Sequence, residues 1–272
     1  MTLFSRLGLP RKLKTLLSGL DILALLTWGA LLFKYWVSGQ LKLLIHPNYF
    51  LLVLVTSIIL LILAAFKTGQ WVRQLRKKST QDRENVQHIT LFPPGWGSTI
   101  LIITAISGFV IPPIMFDSQM ALQRGISDSL PVTQTQTQEF RATVKPEERS
   151  LIDWIRTINA YPEPDAYQGQ RAKITGFVVH SPLLPENYIF LSRFILTCCA
   201  VDAYPVGLPV RLEVDRNTYP PDTWLEIEGE MTTGTLAVDP KTTSENAAEK
   251  RQLVLVAKSI QTIPTPSDPY GY

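Results

Sequence analysis

Cysteine and histidine are scarce in this chain. Its 272 residues hold two cysteines, Cys198 and Cys199, and three histidines, His46, His88 and His180. The cysteines are adjacent, so there is no Cys-x-x-Cys motif, which argues against a thioredoxin-type oxidoreductase. Two thiols and a distant imidazole also lack the ligand spacing of a recognised zinc motif. There is no phosphate-binding loop, no Ser/His/Asp order with supporting motifs and no defensible pair of catalytic carboxylates, and the chain is read as a non-enzyme. Acidic residues are scarce in the first part: residues 1–116 have 3 Asp/Glu against 12 Lys/Arg, whereas residues 117–272 have 20 against 14. A net charge of +3 therefore conceals a basic, apolar half and an acidic, Pro-rich half, an asymmetry that points to a membrane or polyanion partner.

What the first half does have is long apolar runs. Crossing a bilayer core takes roughly 17–25 helical residues, and three stretches qualify: 16–37, 49–66 and 98–116. The second carries no charge. The first has Asp21 and Lys34 near its ends, with Lys34 able to snorkel beside Tyr35 and Trp36. The third ends in Pro112-Pro113, a pair without backbone donors that should stop or kink the helix. The length of the first stretch, the lack of a small-x-small cleavage site and the spans after it argue against a signal peptide. Lys and Arg concentrate before the first span and between the second and third, which puts those segments in the cytoplasm. Three spans then place the C-terminal domain outside, making this a multi-pass cell-membrane protein with a cytoplasmic N-terminus.

Residues 117–145 read as a linker, including the low-complexity run Val132-Thr133-Gln134-Thr135-Gln136-Thr137-Gln138. From 146 to 272 the signals are a short helix at 146–160 and five strands, at 171–180, 188–200, 208–214, 223–231 and 252–263, with no internal repeat. The fold class expected is α+β: three transmembrane helices followed by a small closed β-barrel of OB-like type, with a two-sheet sandwich as the rival. Gly176 and Gly229 suit bends or bulges in such strands. Glu226, Glu228 and Glu230 alternate on one strand face and form its wet side. An acidic domain without basic residues interleaved with aromatics does not fit nucleic acid.

The run Thr197-Cys198-Cys199-Ala200-Val201-Asp202 carries the candidate chemistry. In a regular strand Cys198 would share the apolar face of Phe194 and Leu196, and Cys199 would face the polar side. The two thiols could not then hold one ion, and a disulfide between neighbours would be strained. A bulge or strand end at 198–202 would lift these limits. Three readings stay open. The pair is two small core residues; or a thiolate metal site for zinc or copper, with Asp202 or His180 as further ligands; or a redox dithiol in an oxidising compartment. Arg193 is a candidate partner for Asp202 or the strand glutamates, and His46, before Pro47 at the outer membrane interface, is a junction residue or a ligand.

Several runs together carry a resemblance: His46-Pro47; Pro112-Pro113 followed by Arg124-Gly125; Gly176-Phe177-Val178; and Arg193-Phe194 with Cys198-Cys199-Ala200-Val201-Asp202-Ala203 and Pro205-Val206-Gly207. The chain resembles the YcgQ-type membrane proteins of bacteria over nearly its whole length. That resemblance implies company with a YcgR-type multi-span permease and so an accessory role in transport. Some members have a His-rich loop between the second and third spans that suggests metal handling, whereas this chain has only His88 there. The function expected is a membrane accessory subunit of a permease, in metal-ion transport or homeostasis, with the permease and the lipid bilayer as partners. The alternative is a membrane-tethered thiol redox protein or sensor using Cys198 and Cys199.

Overall fold

The structure is a computed structural model and describes residues 11–76, 93–127, 145–237 and 249–271. The chain divides into two compact units, one of Met1–Leu41 and Pro47–Pro113, the other of Lys42–His46 and Ile114–Tyr272.

The first unit is helical: α1 (Arg11–Val37), α2 (Phe50–Arg76) and α3 (Trp96–Val110). Small residues let α1 approach its neighbours, as is usual where helices pack without a hydrophobic driving force. A Cβ on Gly29 would lie 2.9 Å from the Leu61 side chain, and one on Gly108 2.8 Å from that of Leu31. The buried Ser57 hydroxyl donates to the Gly29 carbonyl at 2.9 Å, and Tyr35 donates to that of Gly108 at 2.6 Å. Ser98 donates to the Asp21 carboxylate, and Lys34 to the Phe109 carbonyl at 3.3 Å. Outward-facing Leu51, Leu52, Ile59, Ile62 and Phe66 leave α2 with an exposed apolar surface.

Among the described residues, two helices are long and apolar enough to cross a membrane, within Thr15–Val37 and Pro47–Arg73. The expected third span is corrected to a shorter apolar helix. α3 has 15 residues, about 22 Å of helix, because Ile111 is already extended and Pro112 and Pro113 cannot continue the ladder. The basic residues Lys77, Lys78 and Arg83, with His88, lie outside the described residues, as do the run 132–138 and most of the polar loop at 239–251.

The second unit opens with α4 (Ser118–Arg124), which falls in the stretch read as a linker. Asp117 caps it by accepting the Met120 N–H at 2.8 Å, and Ser118 donates twice to Asp222. α5 (Leu151–Ala160) starts at a capping box between Ser150 and Asp153. Pro146 belongs to a separate single turn ahead of it. The strands are β1 (Arg171–Val179), β2 (Tyr188–Ile195), β3 (Tyr204–Arg211), β4 (Trp224–Ala237), β5 (Glu249–Thr262) and β6 (Tyr270–Gly271).

Their order is β1-β4-β5-β3-β2-β6, and β1 also pairs with β2. The sheet curls round on itself, but two seams are short. β3 meets β5 at Val210–Leu255 and Arg211–Val256, and β1 meets β2 from Phe177–Ser192 to Val179–Phe190. The expected closed barrel is thereby corrected to an α+β unit with a curled, incompletely sealed sheet. Gly229 sits at a register shift between β4 and β5, where a Cβ would run into the Val256 carbonyl. Gly176 is needed for close approach to β2, its Cβ position being 2.7 Å from the Ser192 carbonyl oxygen. One core lies under α5, around Trp154, Ile155, Ile174, Leu208 and Ile227. The other joins Ala121 of α4 to Phe177, Phe194, Trp224 and Tyr270, with Phe177 and Phe194 stacked at 5.6 Å.

Candidate metal centre

β2 ends at Ile195, earlier than its apolar sequence suggests, and this decides the fate of the cysteines. Leu196 still enters the core, after which the chain bends and makes a single 3-10 turn at Ala200–Asp202. The regular-strand reading of the thiols is corrected: Cys198 is exposed and Cys199 half-buried. No disulfide joins them, and their Sγ atoms lie 3.6 Å apart. Two thiols that alternate in a strand have been brought to one side by its termination.

Asp202 organises this turn. Its carboxylate accepts the backbone N–H groups of Cys198 at 2.8 Å, Cys199 at 3.2 Å and Thr197 at 3.3 Å. The Cys198 thiol donates towards the Cys199 sulfur. The negative Asp202 carboxylate beside it, and then Cys199, push the Cys198 thiol up to about 12. For Asp202, burial raises the pKa, but the Cys198 thiol and the three amides outweigh it and hold the carboxyl below its ordinary value. One ligand atom each from Cys198, Cys199 and Asp202 lie within 4.8 Å of one another. Two thiolates on a tetrahedral zinc, at about 2.3 Å each, would stand about 3.8 Å apart, close to the separation found here.

The turn has a partner that sequence reasoning missed. The segment Leu44–His46 of the same unit lies antiparallel to it. The His46 N–H donates to the Cys198 carbonyl at 3.0 Å, the Ala200 N–H donates to Leu44 at 2.7 Å, and Ile45 bridges to Cys199. Nothing in the spacing could have shown this, since more than 150 residues separate the strands of the bridge. The His-Pro junction was the one available hint.

The other candidates lie elsewhere. The His180 ring nitrogen meets the Tyr219 carbonyl at 2.9 Å, so His180 is not part of the cluster. Arg193 does not reach Asp202. It lies over the Trp224 ring at 5.4 Å and donates to the Asp268 carbonyl at 3.3 Å, and burial lowers its pKa. The glutamates form a wet face as expected: Lys173 bridges Glu226 at 2.8 Å and Glu228 at 2.9 Å, and Lys258 pairs with Glu230. Arg124 braces the cysteine turn from behind, donating to the Ala203 carbonyl beside Asp202.

Comparison with known proteins gives the family. The model of the DUF1980 N-terminal domain matches residues 20–127 and that of the DUF1980 C-terminal domain matches residues 130–272. The chain belongs to the DUF1980 family. This replaces the YcgQ-type membership expected from the residue runs. No curated protein matches. Among solved structures, the mitochondrial single-stranded DNA binding protein Rim1 of S. cerevisiae is similar at 14% identity and a TM-score of 0.21, over 35% of this chain and 95% of that one. The expected partners are corrected accordingly. The permease rested on the replaced resemblance and falls with it.

Proposed function

We propose that this protein binds a thiophilic metal ion, zinc or copper, and serves metal-ion homeostasis at the cell membrane without catalysing a reaction. The observation that carries this reading is the convergence of two thiol sulfurs and a carboxylate within 4.8 Å. The chemistry of the donors supports it. Both thiols are free, and the carboxylate beside them is fixed by three amides.

The rival, a redox dithiol, needs a low-pKa, accessible thiol. Cys198 is accessible, but the Asp202 carboxylate pushes it up to about 12. The metal reading is preferred because that carboxylate stands with both sulfurs within 4.8 Å, a third donor that an ion uses and dithiol exchange does not.

On location, α1 and α2 would supply two crossings. α3 would supply a third if residues 111–113 continued it as extended chain, since about 22 Å of helix and about 10 Å of extended chain together match a core of about 30 Å. Two of those three residues are prolines and have no N–H to satisfy. The charge distribution supports an external β-rich unit, and the strand order with its β1–β2 closure supports an OB-like ancestry.

The test is metal content of the purified full-length chain beside Cys198→Ser, Cys199→Ser and Asp202→Asn. A stoichiometric ion in the parent, reduced in all three, is expected. A parent that holds no added Zn2+ or Cu+ at micromolar concentration overturns the reading. A membrane-impermeant thiol reagent on intact cells tests the location: an external unit labels at Cys198.

A further inference from the structure

We infer that ion binding at Cys198, Cys199 and Asp202 is coupled to the pairing of segment Leu44–His46 with the cysteine turn, so that an occupied site fastens the connection between α1 and α2. The inference rests on the metal reading above and adds a consequence of occupancy to it.

The pairing is short. Ile45 and Cys199 form an isolated bridge outside the named strands. Two backbone hydrogen bonds flank it, from the His46 N–H to the Cys198 carbonyl at 3.0 Å and from the Ala200 N–H to the Leu44 carbonyl at 2.7 Å. So brief a pairing opens more readily than the ladders of the sheet. Its segment lies in the connection between α1, which ends at Val37, and α2, which starts at Phe50 after the turn Pro47–Tyr49.

Ligands and bridge share one stretch of backbone. An ion tied to the side chains of residues 198, 199 and 202 restricts the chain between them. The bridge leaves that same chain at the Cys198 carbonyl and the Ala200 N–H. Whichever event comes first orders the turn for the other, so each favours the other. By linkage the ion strengthens the bridge by the factor by which the bridge strengthens ion binding. The coupling runs through the backbone of the turn and needs no ligand from segment 44–46.

Ala200 allows the two to be separated. Asp202 accepts the amides of Thr197, Cys198 and Cys199, whereas the Ala200 amide goes to Leu44. Ala200 is the first residue of its 3-10 turn, and Cys199 before it is extended, with φ −155° and ψ 172°. Proline suits the first position of a helical turn and favours an extended residue before it. Ala200→Pro therefore deletes the bond to Leu44 while keeping both thiols, the carboxylate and its three amides.

The experiment uses the full-length protein in detergent, with Zn2+ titrated against a chromophoric chelator and amide hydrogen exchange followed with and without Zn2+. The His46 N–H is the informative amide, because those of the turn would slow on any local ion binding. Zn2+ should slow its exchange by at least about fivefold in the parent and leave it unchanged in Cys199→Ser. Ala200→Pro, shown to be folded by circular dichroism, should bind Zn2+ about threefold to tenfold more weakly, the range for one lost backbone hydrogen bond. Ala200→Gly, which keeps the N–H, should bind nearly as the parent does. A parent that binds Zn2+ with no change in His46 exchange overturns the coupling and leaves the metal reading standing. A parent that binds no Zn2+ overturns both.

Discussion

The Asp202 carboxylate accepts the Cys198 backbone N–H at 2.8 Å, so the acid that would share an ion with the thiols also folds the chain that presents them. Ligand and scaffold are one residue here. The arrangement exists before any ion binds, which reduces the ordering an ion would have to impose.

Replacing Asp202 should therefore act twice. Asp202→Asn keeps one acceptor oxygen but loses the charge on which three amides converge, at an expected cost of about 1–3 kcal/mol in urea unfolding. Because the folded carboxyl is held below its ordinary value, its stabilisation is fully present above the unfolded pKa near 4. It disappears as pH falls through the depressed folded pKa. Parent and variant should thus differ at neutral pH and converge in acid; a gap that persists in strong acid would mean the carboxylate charge is not the cause.

The Cys198 thiol gives a second pH signature. Held up to about 12 beside Asp202, it is protonated at neutral pH and must release that proton to bind metal. Apparent Zn2+ affinity should rise about tenfold per pH unit from this group alone between about pH 6 and 8. In Asp202→Asn, alkylation of Cys198 should set in at lower pH than in the parent. Alkylation profiles that coincide would remove the carboxylate from the control of this thiol.

Gly229→Ala tests the sheet. Its new methyl would meet the Val256 carbonyl, a backbone atom that cannot rotate away, at the point where β4 and β5 change register. A loss of at least about 2 kcal/mol is expected by chemical denaturation, and a neutral result would mean the bulge relaxes.

Gly29→Val tests the helical unit. The added branches would press on Leu61 and displace the Ser57 hydroxyl from the Gly29 carbonyl. Separation of α1 from α2 should appear as faster proteolysis in detergent and a lower aggregation temperature. Unchanged values would show that α1 can shift to make room.

Much of this protein can be read along the chain. Apolar length gives α1 and α2, alternation gives five strands with ends misplaced by up to about six residues, and the glutamates of β4 lie on a wet face because period two requires it. The sequence also singles out Cys198, Cys199 and Asp202, since no other thiols exist. Periodicity failed at ends. The apolar run after Ile195 looks like continued strand, yet the hydrogen bonds of Asp202 to Thr197, Cys198 and Cys199 replace ladder bonds and turn the chain. The same error lengthened the third apolar segment, where Pro112 and Pro113 end α3 at Val110.

By itself the sequence determined which segments are apolar, which alternate and which residues can bear the chemistry, because those depend on composition and on neighbours a few positions away. Only the tertiary structure decided that both thiols face one carboxylate and that His46 stands opposite Cys198. Those placements depend on where a strand stops and on hydrogen bonds between segments far apart in the chain, and no local pattern records either.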